Sequence, residues 1–256
     1  MTMKTIFPWP GGKSWAAKYV LPLISKHTCY VEPFAGGLAI LLAKEPSALE
    51  IVNDINSDLI NFFRCAQFHR DELIKELQFV LNSREEFIAL KQQRGLTDIQ
   101  RAARWFRIQT LSFAGDGDSF AVQRKSGGGA ARSRRALLDK LDALNDRLDR
   151  VVTEHLDWRH CLELYDSDET FFFVDPPYLG GQIKNYKAWG KADLEALRDC
   201  LVALKGKWLL TINDCEAARS LFQEMKIKPL TRQRGIANKS ESTRQEYREL
   251  LISPKQ

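Results

Sequence analysis

At 256 residues, with 44% hydrophobic and 28% charged side chains, the chain has the composition of a folded globular protein and not of a disordered one. Five scattered cysteines without a C-x-x-C pair exclude a simple zinc or disulfide framework and suit a reducing cytoplasm. No charged and apolar leader opens the chain, and no apolar run reaches the ~18 residues of a membrane span, so neither secretion nor a membrane is expected. The net charge of +5 is unevenly placed: residues 84–135 hold eleven Lys and Arg against five Asp and Glu, which leaves the rest of the chain at −1. A solvated helix face explains such a surplus about as well as a phosphate backbone does.

In chain order, Phe7–Ser14 (FPWPGGKS) comes first and ends like a nucleotide-binding P-loop. That pattern needs a glycine where Phe7 stands, and two prolines stiffen a stretch that should wrap a phosphate with N–H groups. An NTPase is therefore not indicated. Cys29–Val31 reads as a strand entering Val31-Glu32-Pro33-Phe34-Ala35-Gly36-Gly37, followed by an apolar helix over Leu38–Lys44. Leu49–Val52 is a second strand, ending at Asn53-Asp54. Val151–Leu156, Thr170–Val174 and Trp208–Ile212 are further strands, and Lys226–Arg234 with Tyr247–Ile252 form a closing antiparallel pair. Helices are expected over Lys191–Leu204 and Glu216–Met225.

Between the second and third strands the pattern is helical from Ser57 to about Gln109 and again over Ser133–Arg150, with a hairpin or loop near 115–135. Roughly ninety residues is too long for an ordinary strand-to-strand connection. The expected architecture is α/β: a Rossmann-like sheet of about seven strands with its last hairpin antiparallel, built from 1–56 and 151–256. A mainly helical recognition domain, 57–150, is inserted in it.

Chemistry concentrates at Asp175-Pro176-Pro177-Tyr178, directly after the apolar run Phe171–Val174. Proline at 176 has no N–H, so its carbonyl together with the Asp175 carboxylate is suited to accept both hydrogens of an exocyclic amine. Tyr178 supplies a flat face on which a base can stack. Gly36 and Gly37 let a ligand approach the backbone, and Asp54 ends a strand where an acid can receive ribose hydroxyls. The turn lacks G-x-G-x-x-G, so a nucleoside cofactor without pyrophosphate, S-adenosylmethionine, fits better than a dinucleotide.

FPWPGGK, VEPFAGG, NDINSDLI (Asn53–Ile60) and FFFVDPPY, in that order, resemble the Dam-type DNA adenine-N6 methyltransferases. HLDW (His155–Trp158), Tyr186, LLTIND (Leu209–Asp214) and YRELLIS (Tyr247–Ser253) are similar to that family's segments as well. The resemblance implies that Trp9 walls the cofactor pocket and that Lys13 pairs with a cofactor carboxylate. It places Glu32, Phe34, Gly36 and Gly37 along the methionine and adenosine, Asp54 at the ribose and Asp157 near the adenine. Asp175, Pro176 and Tyr178 would bind a flipped adenine, with Asp175 also bordering the cofactor. Leu38 stands where the family commonly has glycine. The partner implied is double-stranded DNA, held by Arg124, Lys125, Arg132, Arg134 and Arg135, with no metal and with a monomer expected (a dimer being the alternative). Methylation of cytosine N4 or of adenine in RNA, an inactive DNA-binding regulator and a protein-glutamine methyltransferase are the competing readings. The acid of DPPY and the basic insertion favour a nucleic acid over glutamine.

Overall fold

Short β-branched and aromatic runs dominate the strands of this chain, and they pair into one sheet. The computed structural model describes residues 3–78, 82–93, 97–121, 133–180, 188–233 and 246–255. The strands are β1 (Cys29–Glu32), β2 (Leu49–Asn53), β3 (Val151–Glu154), β4 (Thr170–Val174), β5 (Lys207–Asn213), β6 (Lys226–Gln233) and β7 (Glu246–Ser253). Their order is β3-β2-β1-β4-β5-β7-β6. The first five run parallel, while β7 is antiparallel to both β5 and β6. The expected seven-stranded sheet with a closing antiparallel pair is what forms.

Strand order reverses between β1 and β4, and ligands in such sheets bind beyond the carboxyl ends of the strands at that reversal. β1 and β4 are buried along their whole length, as central parallel strands must be. Period-2 alternation sorts their side chains into two layers. Tyr30, Phe171, Phe173, Leu209 and Leu251 pack on one face, and Val31, Phe172, Val174, Leu210 and Ile252 on the other.

The described parts of the segment between β2 and β3 are mainly helical, as the pattern predicts: α2 (Ser57–Phe68), α3 (Arg70–Gln78), α4 (Arg84–Gln92), α5 (Asp98–Leu111) and α6 (Arg134–Leu148), here numbered after a four-residue α1 (Ala17–Val20). Side-chain caps start several of these helices. Asn56 accepts from the N–H groups of Asp58 and Leu59, and Thr97 with Gln100 forms a reciprocal capping box. Phe62, Phe63, Trp105 and Phe106 from α2 and α5 join the same core as the sheet face carrying Tyr30 and Phe171. The remaining helices are α7 (Trp158–Tyr165), α8 (Lys191–Ala203) and α9 (Glu216–Leu221).

Two expectations need correcting. The segment Leu38–Lys44 is a run of turns and not a helix. Its start, Leu38, has φ +56°, which no helical residue adopts, and the bonds that follow mix three- and four-residue spacings. The helix predicted over Glu216–Met225 stops at Leu221, with Phe222 capping back to Ala218 and then buried.

Candidate active site

The alternation that builds the core also builds the site. Glu32, Asp175, Thr211 and Glu249 continue the face that carries Tyr30, Phe173, Leu209 and Leu251, so four polar side chains meet at one edge of an apolar layer. The N-terminal segment crosses that same face. Phe7, only 2% exposed, anchors it through ring contacts with Phe62, Phe63, Trp105 and Phe106 at centroid distances of 5.2–6.3 Å. The two prolines flanking Trp9 thus belong to a strap tied to the core, and the strap delivers Lys13 to the strand ends.

Lys13 is 3% exposed, and its ammonium lies 2.7 Å from Asp175 Oδ1 and 3.7 Å from Glu249 Oε2. It also donates to the Tyr178 hydroxyl at 3.0 Å and to the Gly11 carbonyl at 2.9 Å. The Tyr178 hydroxyl in turn donates to Glu249 Oε1, while Thr211 Oγ1 donates to Asp175 Oδ1 at 2.8 Å. Burial pushes the Asp175 carboxyl above the ordinary aspartate range, and the Lys13 ammonium and the Thr211 hydroxyl pull it back. A fifth of the Asp175 side chain remains open. Lys13 is thereby directed at the DPPY corner.

Glu32 lies deeper, at 2% exposure, accepting from the Tyr30 hydroxyl at 2.8 Å. Desolvation pushes its carboxyl up to about 8, against the downward pull of the Tyr30 hydroxyl, the Leu41 N–H and Lys44. Between the ordinary 4.5 and this value the folded chain holds a proton that the unfolded chain has lost. Its contribution to stability is therefore complete at low pH and declines as pH rises through that window, by up to about 1.4 kcal/mol per pH unit. Glu32→Gln is expected to remove this slope, measured as urea midpoints of wild type and variant at pH 5 and pH 8. Equal slopes in the two proteins would refute it.

The glycine turn is lined by the same strap. A Cβ built on Gly36, whose φ is +46°, would come within 2.7 Å of Trp9 Nε1, and one on Gly37 within 3.1 Å of Trp9 Cβ. Trp9 therefore lies directly on the turn, with Trp105 behind it at 6.1 Å between ring centroids. Asp54, 3% exposed, accepts from the N–H groups of Gly36 (3.0 Å) and Asn56 (2.9 Å), which ties the end of β2 to the turn after β1. On the opposite face Phe34 meets Trp158 and Trp189 at 6.0 and 5.6 Å, and the two tryptophans are 6.0 Å apart. Asp157 is exposed beside this trio and caps α7 through the Arg159 N–H.

Residues 9–236 match the family described as D12 class N6 adenine-specific DNA methyltransferase. The chain belongs to that family. It is similar to the type II methyltransferase M1.LlaDCHI of Lactococcus lactis subsp. cremoris, at 23% identity over 99% of this chain and 96% of that one. It is also similar to the DNA adenine methylase of Haemophilus influenzae, at 24% identity over 95% of this chain and 91% of the relative. A third relative, the type II methyltransferase M.CviBI of a Paramecium bursaria Chlorella virus, is 21% identical over 86% of both chains. Among the described residues no helix is long and apolar enough to cross a membrane, and no group of three His, Cys, Asp or Glu residues could hold a metal ion.

Within this methyltransferase, the structure brings together Lys13, Asp175 and Tyr178, and separately Trp9, Gly36, Gly37 and Asp54. Of the expected DNA contacts, Arg124, Lys125 and Arg132 lie outside the described residues, as does Tyr186. Arg134 opens α6, and Arg135 beside it is exposed. Part of the basic surplus is structural: Arg101 pairs with Asp58, Arg104 donates to the Leu90 carbonyl, and Arg107 is 4% exposed and donates to Asn82. Thr211 and Glu249 join the Asp175 cluster without a site role in any of the motifs in the sequence. Both are polar residues inside apolar strand runs, LLTIN and RELLI, and that interruption was the available signal.

Proposed function

We propose that this DNA adenine-N6 methyltransferase receives the exocyclic amine of an extruded adenine at Asp175, Pro176 and Tyr178. The observation that carries this reading is the Asp175 carboxylate, held by Lys13 and Thr211 at the end of a central strand yet still partly open. Adenine's amino nitrogen is a weak nucleophile because its lone pair is delocalised into the ring. Asp175 and the Pro176 carbonyl each accept one N–H, which favours a pyramidal nitrogen with its lone pair directed outward. Lys13 favours the ionised, accepting form of Asp175. The Tyr178 ring stacks on the base and offsets part of the few kcal/mol that extrusion costs. Positioning and electrostatics supply most of the acceleration. Asp175 then takes up the proton that the methylated amine must lose.

S-adenosylmethionine, when bound, supplies the electrophilic methyl group. Gly36 and Gly37 would line it closely, with Trp9 as an apolar wall and Asp54 at the ribose. The Phe34, Trp158 and Trp189 rings, next to Asp157, suit a flat adenine. Glu32, neutral over much of the physiological range, would present its carboxyl beneath the methionine side. The helical segment 57–150 would act as the recognition unit, with Arg124, Lys125, Arg132, Arg134 and Arg135 against phosphates.

Duplex DNA incubated with the protein and S-adenosylmethionine, then digested to nucleosides and weighed by mass spectrometry, is expected to yield N6-methyldeoxyadenosine. Methylcytosine in its place would overturn the reading. Tight DNA binding with no methylated base would favour a regulator instead.

A further inference from the structure

We infer that Glu249, on β7, is a positioning residue for methyl transfer, holding the Tyr178 hydroxyl and the Lys13 ammonium in register with Asp175. The inference rests on the reading of the DPPY corner as the amine site. β5 and β7 are antiparallel with Asn213 opposite Glu249 and Thr211 opposite Leu251, which brings the Glu249 side chain up to the mouth of that corner. Glu249 is 4% exposed. One carboxylate oxygen receives the Tyr178 hydroxyl and the other lies 3.7 Å from the Lys13 ammonium.

A strand that only closed a sheet would not need a buried acid there. An apolar residue would cost nothing, whereas a buried carboxylate is tolerated only when it is paired. The pairing accounts for two things at once. Tyr178 follows two prolines, and its ring would swing about its side-chain torsions without a tether at the hydroxyl. The tether fixes the plane on which a base stacks. Lys13 lies between two carboxylates, Asp175 and Glu249, so its charge is shared and does not collapse onto the acceptor alone. Asp175 thereby keeps its capacity to accept from the substrate amine.

Glu249→Gln keeps the size and an acceptor for Tyr178 but removes the charge. Lys13 from the strap and Thr211 from β5 contact Asp175 directly, Glu32 from β1 lies deeper on the same face, and Tyr178 from the corner and Glu249 from β7 reach it through the Lys13 ammonium. With Glu249 neutral, the Lys13 charge bears on Asp175 alone, which stays ionised to lower pH. The acid limb of single-turnover rate against pH should move down by about one unit, and the plateau rate should fall about tenfold, with the affinity for a cofactor analogue unchanged. Tyr178→Phe, which cuts the tether but keeps every charge, should lower the rate similarly and leave the limb in place.

A rate and limb equal to wild type in Glu249→Gln would overturn the assignment. So would a lowered rate with an unmoved limb, because a purely structural strut behaves that way. Should Glu249→Gln fail to fold, Tyr178→Phe with wild-type rate overturns the assignment on its own. Wild-type protein that methylates no DNA would overturn the reading of the corner itself, an outcome distinct from all of these.

Discussion

Replacing Asp175 by alanine is expected to lower single-turnover methyl transfer by about 10³-fold while leaving cofactor affinity within a few-fold of wild type. The asymmetry follows from where the carboxylate points. Its partners are Lys13 and Thr211, and a fifth of the side chain is open, whereas the glycine turn is tied to Asp54. Losing it removes one of the two acceptors for the substrate amine and the group that takes up the departing proton. Lys13 retains Tyr178, Glu249 and the Gly11 carbonyl, so the buried ammonium is not stranded and the fold should survive. Radiolabelled methyl incorporation and titration with a non-transferring cofactor analogue separate the two quantities. Transfer within tenfold of wild type would remove Asp175 from the chemistry. A parallel collapse of analogue affinity would instead make it a cofactor ligand.

The sheet was legible because its strands are short apolar runs with strong β formers, and FFFV before DPPY could be nothing but buried. The corner itself was legible because proline, acid and aromatic have few structural reasons to occur together at a strand end. What escaped notice was long-range pairing. Glu249 lies 71 residues beyond Tyr178, and only the antiparallel register of β5 and β7 brings them together. Single-residue patterns do not carry register. The contact between Lys13 and Asp175 is hidden for the same reason, since the two are far apart in the chain and meet only where the N-terminal strap crosses the strand ends.

Leu38 shows a different limit. Its apolar neighbours read as a helix, and the feature that prevents one, a left-handed backbone at +56°, is costly for leucine by about 1–2 kcal/mol. Full burial of the side chain offsets that cost, so the sequence there records the packing and conceals the turn. Leu38 thus occupies a conformation that glycine adopts without that cost.

Gly36→Ala should separate the strap's two duties, and its effect should be large. Alanine at φ +46° carries the left-handed penalty of about 1 kcal/mol, and its Cβ would fall 2.7 Å from Trp9 Nε1 and 3.0 Å from Cδ1. Neither partner yields easily. Trp9 is packed between Phe7 and Trp105, at 5.9 and 6.1 Å, and the Gly36 N–H is bonded to buried Asp54. Cofactor-analogue affinity is expected to fall at least about tenfold, and thermal stability by about 1–3 kcal/mol, the usual cost of overpacking. Adding Trp9→Ala removes the obstructing ring, so in the double variant stability should recover toward that of Trp9→Ala alone, short of the backbone penalty. Affinity should not recover, because the apolar wall is gone. A Gly36→Ala protein that binds the analogue like wild type would mean that the turn does not approach the cofactor. Losses that add without interaction in the double variant would mean that Trp9 does not lie on the turn in solution.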